Sequence, residues 1–405
     1  MVKDTLSGTV DEISQPQPGG RRRAIPLAVS MLFVAISLGG TGLVVQLYLR
    51  SLDTPIFLIS LTTTIHGAGM LLGSWLWGTV SDYIKRRRLL AFLTLGMAAS
   101  MSVLIVLPSF NVVLAVGLVR SLMFAGTGVV TIAVVSASSL AARRGKNLSY
   151  ISSARSLGFA TGSIIAGFVL AQFGFRTSFI LLALLPMLAF AAVWFLPNEN
   201  PIERKEKVSA WQAIFSSGLF DLYLATALRQ MAIFGTFSLL VVYMESIGIA
   251  VSVIGLIGAS NTATQVLAIL LFGWLADRVG RRRIFMLGFF LSAVTPLFFV
   301  FASNIYGMIC GYVSLGFSFS SMYVGSTAFI GDRVPEERQG QMLGLYESSR
   351  GLGGLFGPIV SGALAPWIGF KGMFLVMSGI ALAGFLVMVI GRMRGRARAQ
   401  AAAAL

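Results

Sequence analysis

The chain has 405 residues, of which 56% are hydrophobic and only 11% charged, and its mean hydropathy is +0.84. Ordinary soluble domains carry about 25% charge, so a soluble fold is excluded, and the weight of apolar residues excludes a disordered or collagen-like chain. One cysteine and one histidine leave no disulfide framework, and neither a metal centre nor a cofactor is expected.

In chain order, a polar tail over residues 1–23 precedes twelve apolar runs: 24–48, 56–78, 89–107, 111–140, 150–173, 177–196, 220–244, 251–275, 285–302, 304–330, 341–366 and 372–391. A helix of about 20 apolar residues crosses the hydrocarbon core of a bilayer. The runs are continuous, whereas barrel strands alternate over about 10 residues. The expected fold is an all-α integral membrane protein with twelve transmembrane helices, here spans 1 to 12. The first run is too long for a signal peptide and no cleavage site of small residues follows it, so none is expected.

Lys and Arg are unevenly placed. The two tails and the loops after spans 2, 4, 6, 8 and 10 hold 24 of the 31, the remaining loops hold 3 (Arg50, Arg176 and Lys371), and 4 lie inside spans. By the positive-inside rule both tails are cytoplasmic, in the plasma membrane. The net charge of +16 is thus explained by loops facing anionic lipid, and no nucleic-acid partner is expected. The glycosylation pattern at Asn147 falls on the cytoplasmic side and is discounted.

A repeat with an offset of 195 residues joins the two ends of the chain. Gly78 and Asp82 answer to Gly273 and Asp277, and Arg86 to Arg281. Arg155, Gly158, Gly162, Gly174, Phe175 and Phe179 answer to Arg350, Gly353, Gly357, Gly369, Phe370 and Phe374. Gly40 and Tyr48 answer to Gly235 and Tyr243. Two six-helix halves are therefore expected, 24–197 and 220–393, joined by a charged linker at 198–219 and followed by a tail at 394–405. This is the plan of a rocker-type carrier, with its substrate between the halves.

The loop after span 8 reads Gly273-x-x-x-Asp277-Arg278-x-Gly280-Arg281-Arg282. It resembles the signature loop of the major facilitator superfamily, in the position of that family's second copy. The first copy keeps Gly78, Asp82 and Arg86 but has Tyr83 and Lys85 where the pattern calls for a basic residue and a glycine. The resemblance runs from span 1 to span 12. It implies the family fold, alternating access, and a cytoplasmic latch in which Asp82 and Asp277 meet basic groups or helix ends. Arg120, with Gly126 and Gly128 after it, resembles the span 4 arginine motif of family antiporters, with looser spacing. Span 5 departs from the antiporter pattern, since Ser163 and Ala166 stand where it wants Gly-Pro and a paired Gly.

Ionisable groups inside spans are costly and mark function. Arg120 lies ~14 Å into span 4 and Arg229 ~12 Å into span 7 at the helical rise. Both are candidate substrate contacts, together with the neutral polar residues Gln46, His66, Gln230, Asn261 and Gln265. The alternative for the arginines is bonding to backbone carbonyls or snorkelling, and for His66 a packing role. Glu347 is the one carboxylate clearly inside a span, and Arg350 shares its helix face. Glu347 is the first candidate for a coupling proton, although its pairing with Arg350 opposes proton uptake. The other reading of the pair is a fixed structural bridge.

These observations lead to a secondary transporter that moves a small organic molecule, coupled to protons in the direction of efflux. The competing reading is an organic-anion carrier or exchanger using Arg120 and Arg229. Neither a catalytic constellation, a Walker phosphate loop nor a filter-like segment is present in the sequence, which disfavours an enzyme, an ATP-driven pump and a channel. The expected partners are a small-molecule substrate, protons and the bilayer, with the chain a monomer.

Overall fold

The computed structural model describes residues 20–81, 83–138, 141–196, 220–331 and 336–403. Asp82 and the linker 198–219 lie outside them, as does the side chain of Arg281. The described residues are helical nearly throughout, because backbone in a bilayer can satisfy its hydrogen bonds only within itself. Ten segments are long and apolar enough to cross a membrane, and two of these, of 44 and 47 residues, are each about two crossings long. Each of the two is broken at one residue, Gly174 (φ 77°, ψ −176°) and Gly369 (φ 70°, ψ 172°). That backbone region is open essentially to glycine alone. The ten segments thus give twelve crossings, and the fold is an all-α membrane bundle of twelve helices.

Spans 1 to 4 are the helices Gly20–Ser51, Ile56–Val80, Arg86–Val106 and Phe110–Ser138. Ala141–Val193 holds spans 5 and 6, on either side of Gly174. Span 7, expected as one run, is two helices, Phe220–Phe237 and Leu240–Ser246. At the break between them the Ser238 hydroxyl donates to the Gly235 carbonyl and meets Ser361 Oγ of span 11 at 3.0 Å. Spans 8 to 10 are Val251–Val279, Arg281–Phe301 and Ile305–Gly331, and Glu336–Ala403 holds spans 11 and 12. An even number of crossings puts both tails on one face, called here the basic face.

The repeat is visible as repeated contacts. A Cβ at Gly162 would strike the Ile36 carbonyl, and one at Gly357 the Met231 carbonyl, 195 residues on in both partners. Glycine there lets the backbones of spans 1 and 5, and of spans 7 and 11, touch directly. Near the opposite face, Tyr48 packs edge-on against Phe175 and Phe179 and donates to the Pro108 carbonyl at 2.6 Å. Tyr243 packs edge-on against Phe374 and tilted against Phe370, and donates to the Ala302 carbonyl, also at 2.6 Å. One pair is inverted. Gly69 of span 2 receives Ser121 of span 4, while at the matching level Thr264 of span 8 fills the space above Gly316 of span 10. The small residue has changed helices and the close packing is kept.

Contacts between the halves lie towards the opposite face. Span 2 meets span 11 where Gly362 abuts Ser60 and Phe57, and Gly67 abuts Gly354. Span 5 meets span 8 where Ser163 donates to the Gly255 carbonyl at 3.0 Å and Gly167 faces Val251 and Gly255. There a single apolar core joins the halves, with Leu43, Leu47 and Ile59 in the same cluster as Leu240, Met244 and Met373. Towards the basic face the core is split. Leu27, Trp77 and Leu90 belong to one cluster, and Leu222, Phe285 and Met388 to another. Among the described residues the bundle is therefore closed at the opposite face and parted at the basic face.

Candidate functional site

In the first half, spans 1, 2 and 4 bring polar groups into the apolar interior. Arg120 is 7% exposed, and its Nη1 atom is buried with no hydrogen-bond partner among the described residues. His66 Nδ1, Thr64 Oγ1 and Gln46 Oε1 are buried and unpartnered in the same sense. Spans 2 and 4 run inward from the opposite face, starting at Ile56 and Phe110, so His66 and Arg120 both lie ~15 Å deep and Thr64 ~12 Å. Gly69 and Gly73 let span 2 settle onto the backbone of span 4 around Leu118, Ser121 and Leu122. His66 is thereby within electrostatic reach of Arg120. Gln46 is buried closer to the opposite face, five residues before span 1 ends at Ser51.

The second half treats its arginine differently. Arg229 is 2% exposed, and all three of its nitrogens donate to side chains: Nε to Ser292 Oγ at 2.8 Å, Nη1 to Gln230 Oε1 at 2.8 Å, and Nη2 to Ser318 Oγ at 3.2 Å. The two serines also bond each other at 2.7 Å. This network ties span 7 to spans 9 and 10 and takes up the Gln230 oxygen. Asn261 and Gln265, one turn apart on span 8, bond each other at 2.8 Å.

Glu347 stands just inside the basic face, on a crossing that begins at Leu345. Its side chain is 62% exposed, and Arg350 Nη1 donates to both carboxylate oxygens at 2.8 and 2.9 Å. Arg350 is itself within electrostatic reach of Arg229.

Of the two signature loops, the second is fully placed apart from the Arg281 side chain. Asp277 is exposed, Arg278 stacks on Trp274 with its guanidinium 3.9 Å from the ring centroid, and Gly280 turns the chain at φ 96°. Asp277, Arg278, Gly280 and Arg282 line a surface groove of about 600 Å³. In the first loop Arg86 is buried and donates to the Ala133 carbonyl of span 4 at 3.2 Å. Glycines of a latch are expected to sit against another helix. Instead a Cβ at Gly273 would meet nothing within 4 Å, and one at Gly78 only Val129 at 3.8 Å. The close approach they allow is unmade with the basic face open.

Sequence reasoning missed several groups. Ser292 and Ser318 hold Arg229, yet serines are too common in membrane helices to stand out. Thr64 carries a buried hydroxyl with no partner among the described residues. At the closed face Arg50 of span 1 reaches Glu245 of span 7, with Nε and Oε2 3.5 Å apart. Only tertiary structure could show this bridge between the halves, because its partners are far apart in sequence.

The family model of the Major Facilitator Superfamily matches residues 27–249 and 222–405, nearly all of the spanning region. The chain belongs to the major facilitator superfamily. The multi-drug resistance efflux pump PmrA of Streptococcus pneumoniae is 23% identical over 331 residues, covering 80% of this chain and 83% of the pump. Among solved structures, the nucleoside transporter NupG superposes with a TM-score of 0.72 at 15% identity, covering 91% of this chain and 98% of that one. A bacterial homologue of the human lysosomal transporter Spinster, inward-facing and unoccupied, has a TM-score of 0.72 at 13% identity, covering 93% and 96%. As a member of the superfamily the chain is a multi-pass membrane transporter of small molecules.

Proposed function

We propose that the chain exports a small organic molecule across the plasma membrane by alternating access, in exchange for protons. One observation carries the rocking reading: the halves share a core at one face and have separate cores at the other. A carrier caught at one end of its cycle has this form. The positive-inside distribution makes the basic face cytoplasmic, so the structure is taken as inward-facing with both tails in the cytoplasm. The signature loops, with Gly78 and Gly273 idle, then form the latch of the outward-facing state, and the halves 24–197 and 220–393 are the rocking bodies. Efflux as the direction is supported by the likeness to a multi-drug efflux pump.

Glu347 is the proposed proton carrier. It faces the open side, and its partner Arg350 lies one turn away on the same helix, so a shift of either side chain separates them. Spans 1 to 6 hold no carboxylate between Asp53 and Glu199 apart from Asp82, which leaves no competitor for the role in the first half. The test uses purified protein in liposomes with a pH dye inside and a library of lipophilic dyes and drugs. Substrate-dependent proton movement that Glu347→Gln abolishes is the expected result. Transport without proton movement, untouched by the substitution, makes Glu347 structural and ends the antiport reading.

A further inference from the structure

Two arginines lie deep in the bundle, and their surroundings are opposite. Arg229 is held by an amide and two hydroxyls. Arg120 is equally deep in its half, and none of the described residues bonds to its buried Nη1. A guanidinium in an apolar interior is expensive unless something compensates it. Among the described residues of its own half no carboxylate does so. Between Asp53 and Glu199 the sequence contains one carboxylate, Asp82, which follows the end of span 2. In the other half Glu347 is engaged by both of its oxygens with Arg350, and Glu245 faces Arg50 at the closed end. Among the described residues no carboxylate is paired with Arg120.

The groups around Arg120 suit an anionic ligand. His66, on the face of span 2 that meets span 4, brings an imidazole and Gln46 an amide, and each has a buried atom without a partner. Gln46 and Arg120 are both more than nine-tenths buried. An unpartnered guanidinium held in place beforehand by tightly packed helices is what a pre-formed recognition site requires.

We propose that the first half contains an anion-binding site centred on Arg120, with His66 beside it and Gln46 towards the closed face, and that the transported substrates are organic anions of the carboxylate type. This rests on the transporter reading above and specifies the substrate class. It also divides the labour between the arginines: Arg120 meets the substrate, and Arg229 holds spans 7, 9 and 10 together. A carboxylate bound by the planar fork of a guanidinium is lost when a lysine or glutamine replaces it.

The test has a ligand-free arm and a ligand arm, both on the full chain purified in detergent. Without ligand, Arg120→Gln removes an uncompensated charge, and its melting temperature should equal or exceed that of the wild type. A drop of several degrees would show that Arg120 is structural and overturn the assignment. In the ligand arm, thermal stabilisation is titrated with benzoate, octanoate and 4-phenylbutyrate, and with the three corresponding amides. At least one acid should stabilise the wild type while its amide does not, and Arg120→Gln should weaken that response tenfold or more. If no acid stabilises the wild type, if the amides match the acids, or if Arg120→Gln responds as the wild type does, the site is not an anion site. Export of a lipophilic cationic dye by reconstituted wild type is scored separately. Dye export with no response to any acid would leave the exporter reading standing and this one refuted.

Discussion

At the scale of single residues, Arg120 and Arg229 show why an intramembrane charge has to be read from its partners. In sequence they are alike, each near mid-depth of its span. The signal that separates them is the pair of serines on spans 9 and 10, 63 and 89 residues away from Arg229. Such separations carry no local periodicity, so the sequence alone leaves the two arginines equivalent. The structure gives them different expected responses. Arg229→Ala leaves the Gln230 oxygen unpaired, opens a cavity and unties three helices, so it should cost about 2 kcal/mol or more of stability. Thermal unfolding in detergent measures this. A melting temperature unchanged in Arg229→Ala would contradict the structural role. Glu347 and Arg350 are legible in sequence because they sit three apart on one helix, a spacing that always places side chains together.

Among helices, the decisive residues are the glycines that recur at the offset of 195. Their spacing is readable from the amino-acid sequence, because close helix packing in a membrane needs small residues at fixed intervals. Which of these glycines touch something is not. Gly162 and Gly357 are pressed against a neighbouring backbone, while Gly273 has open space. That difference depends on the conformation, and one sequence serves every conformation. Gly174 and Gly369 belong to a third kind. Their positive φ angles turn spans 5 and 11 back as spans 6 and 12, and a Cβ there is strained whatever the space around it. Gly174→Ala and Gly369→Ala should each cost about 1–3 kcal/mol from backbone strain. Gly273→Ala should leave the melting temperature of the resting protein unchanged, since a methyl group there meets nothing. Comparing the three variants in one unfolding series checks the distinction, and equal losses at all three positions would count against it. The break in span 7 at Ser238 is not legible in sequence, because no Pro marks it, Gly235 reads as a helix-packing glycine of the repeat, and the serine that secures it comes from span 11.

For the whole molecule, the twelve crossings, the twofold repeat and the basic face are all legible in sequence, because each follows from a bulk property: hydrocarbon thickness, duplication and lipid charge. The state in which the halves meet is not, since it depends on contacts between spans 2 and 11 and between spans 5 and 8. Alternating access requires that the shared core and the Arg50–Glu245 bridge at one face open as the signature loops close at the other. Pulsed electron spin resonance on two doubly labelled proteins measures both movements. The exposed native Cys310 is first replaced by Ser. One protein carries Leu52→Cys and Ser246→Cys at the closed face, and the other Tyr83→Cys and Arg283→Cys at the open face. Distances are recorded in liposomes with and without a proton gradient and transported substrate. Opposite changes are expected: the first distance lengthens in the same conditions that shorten the second. Two distances that stay fixed during transport, or that lengthen together, would contradict the rocking mechanism.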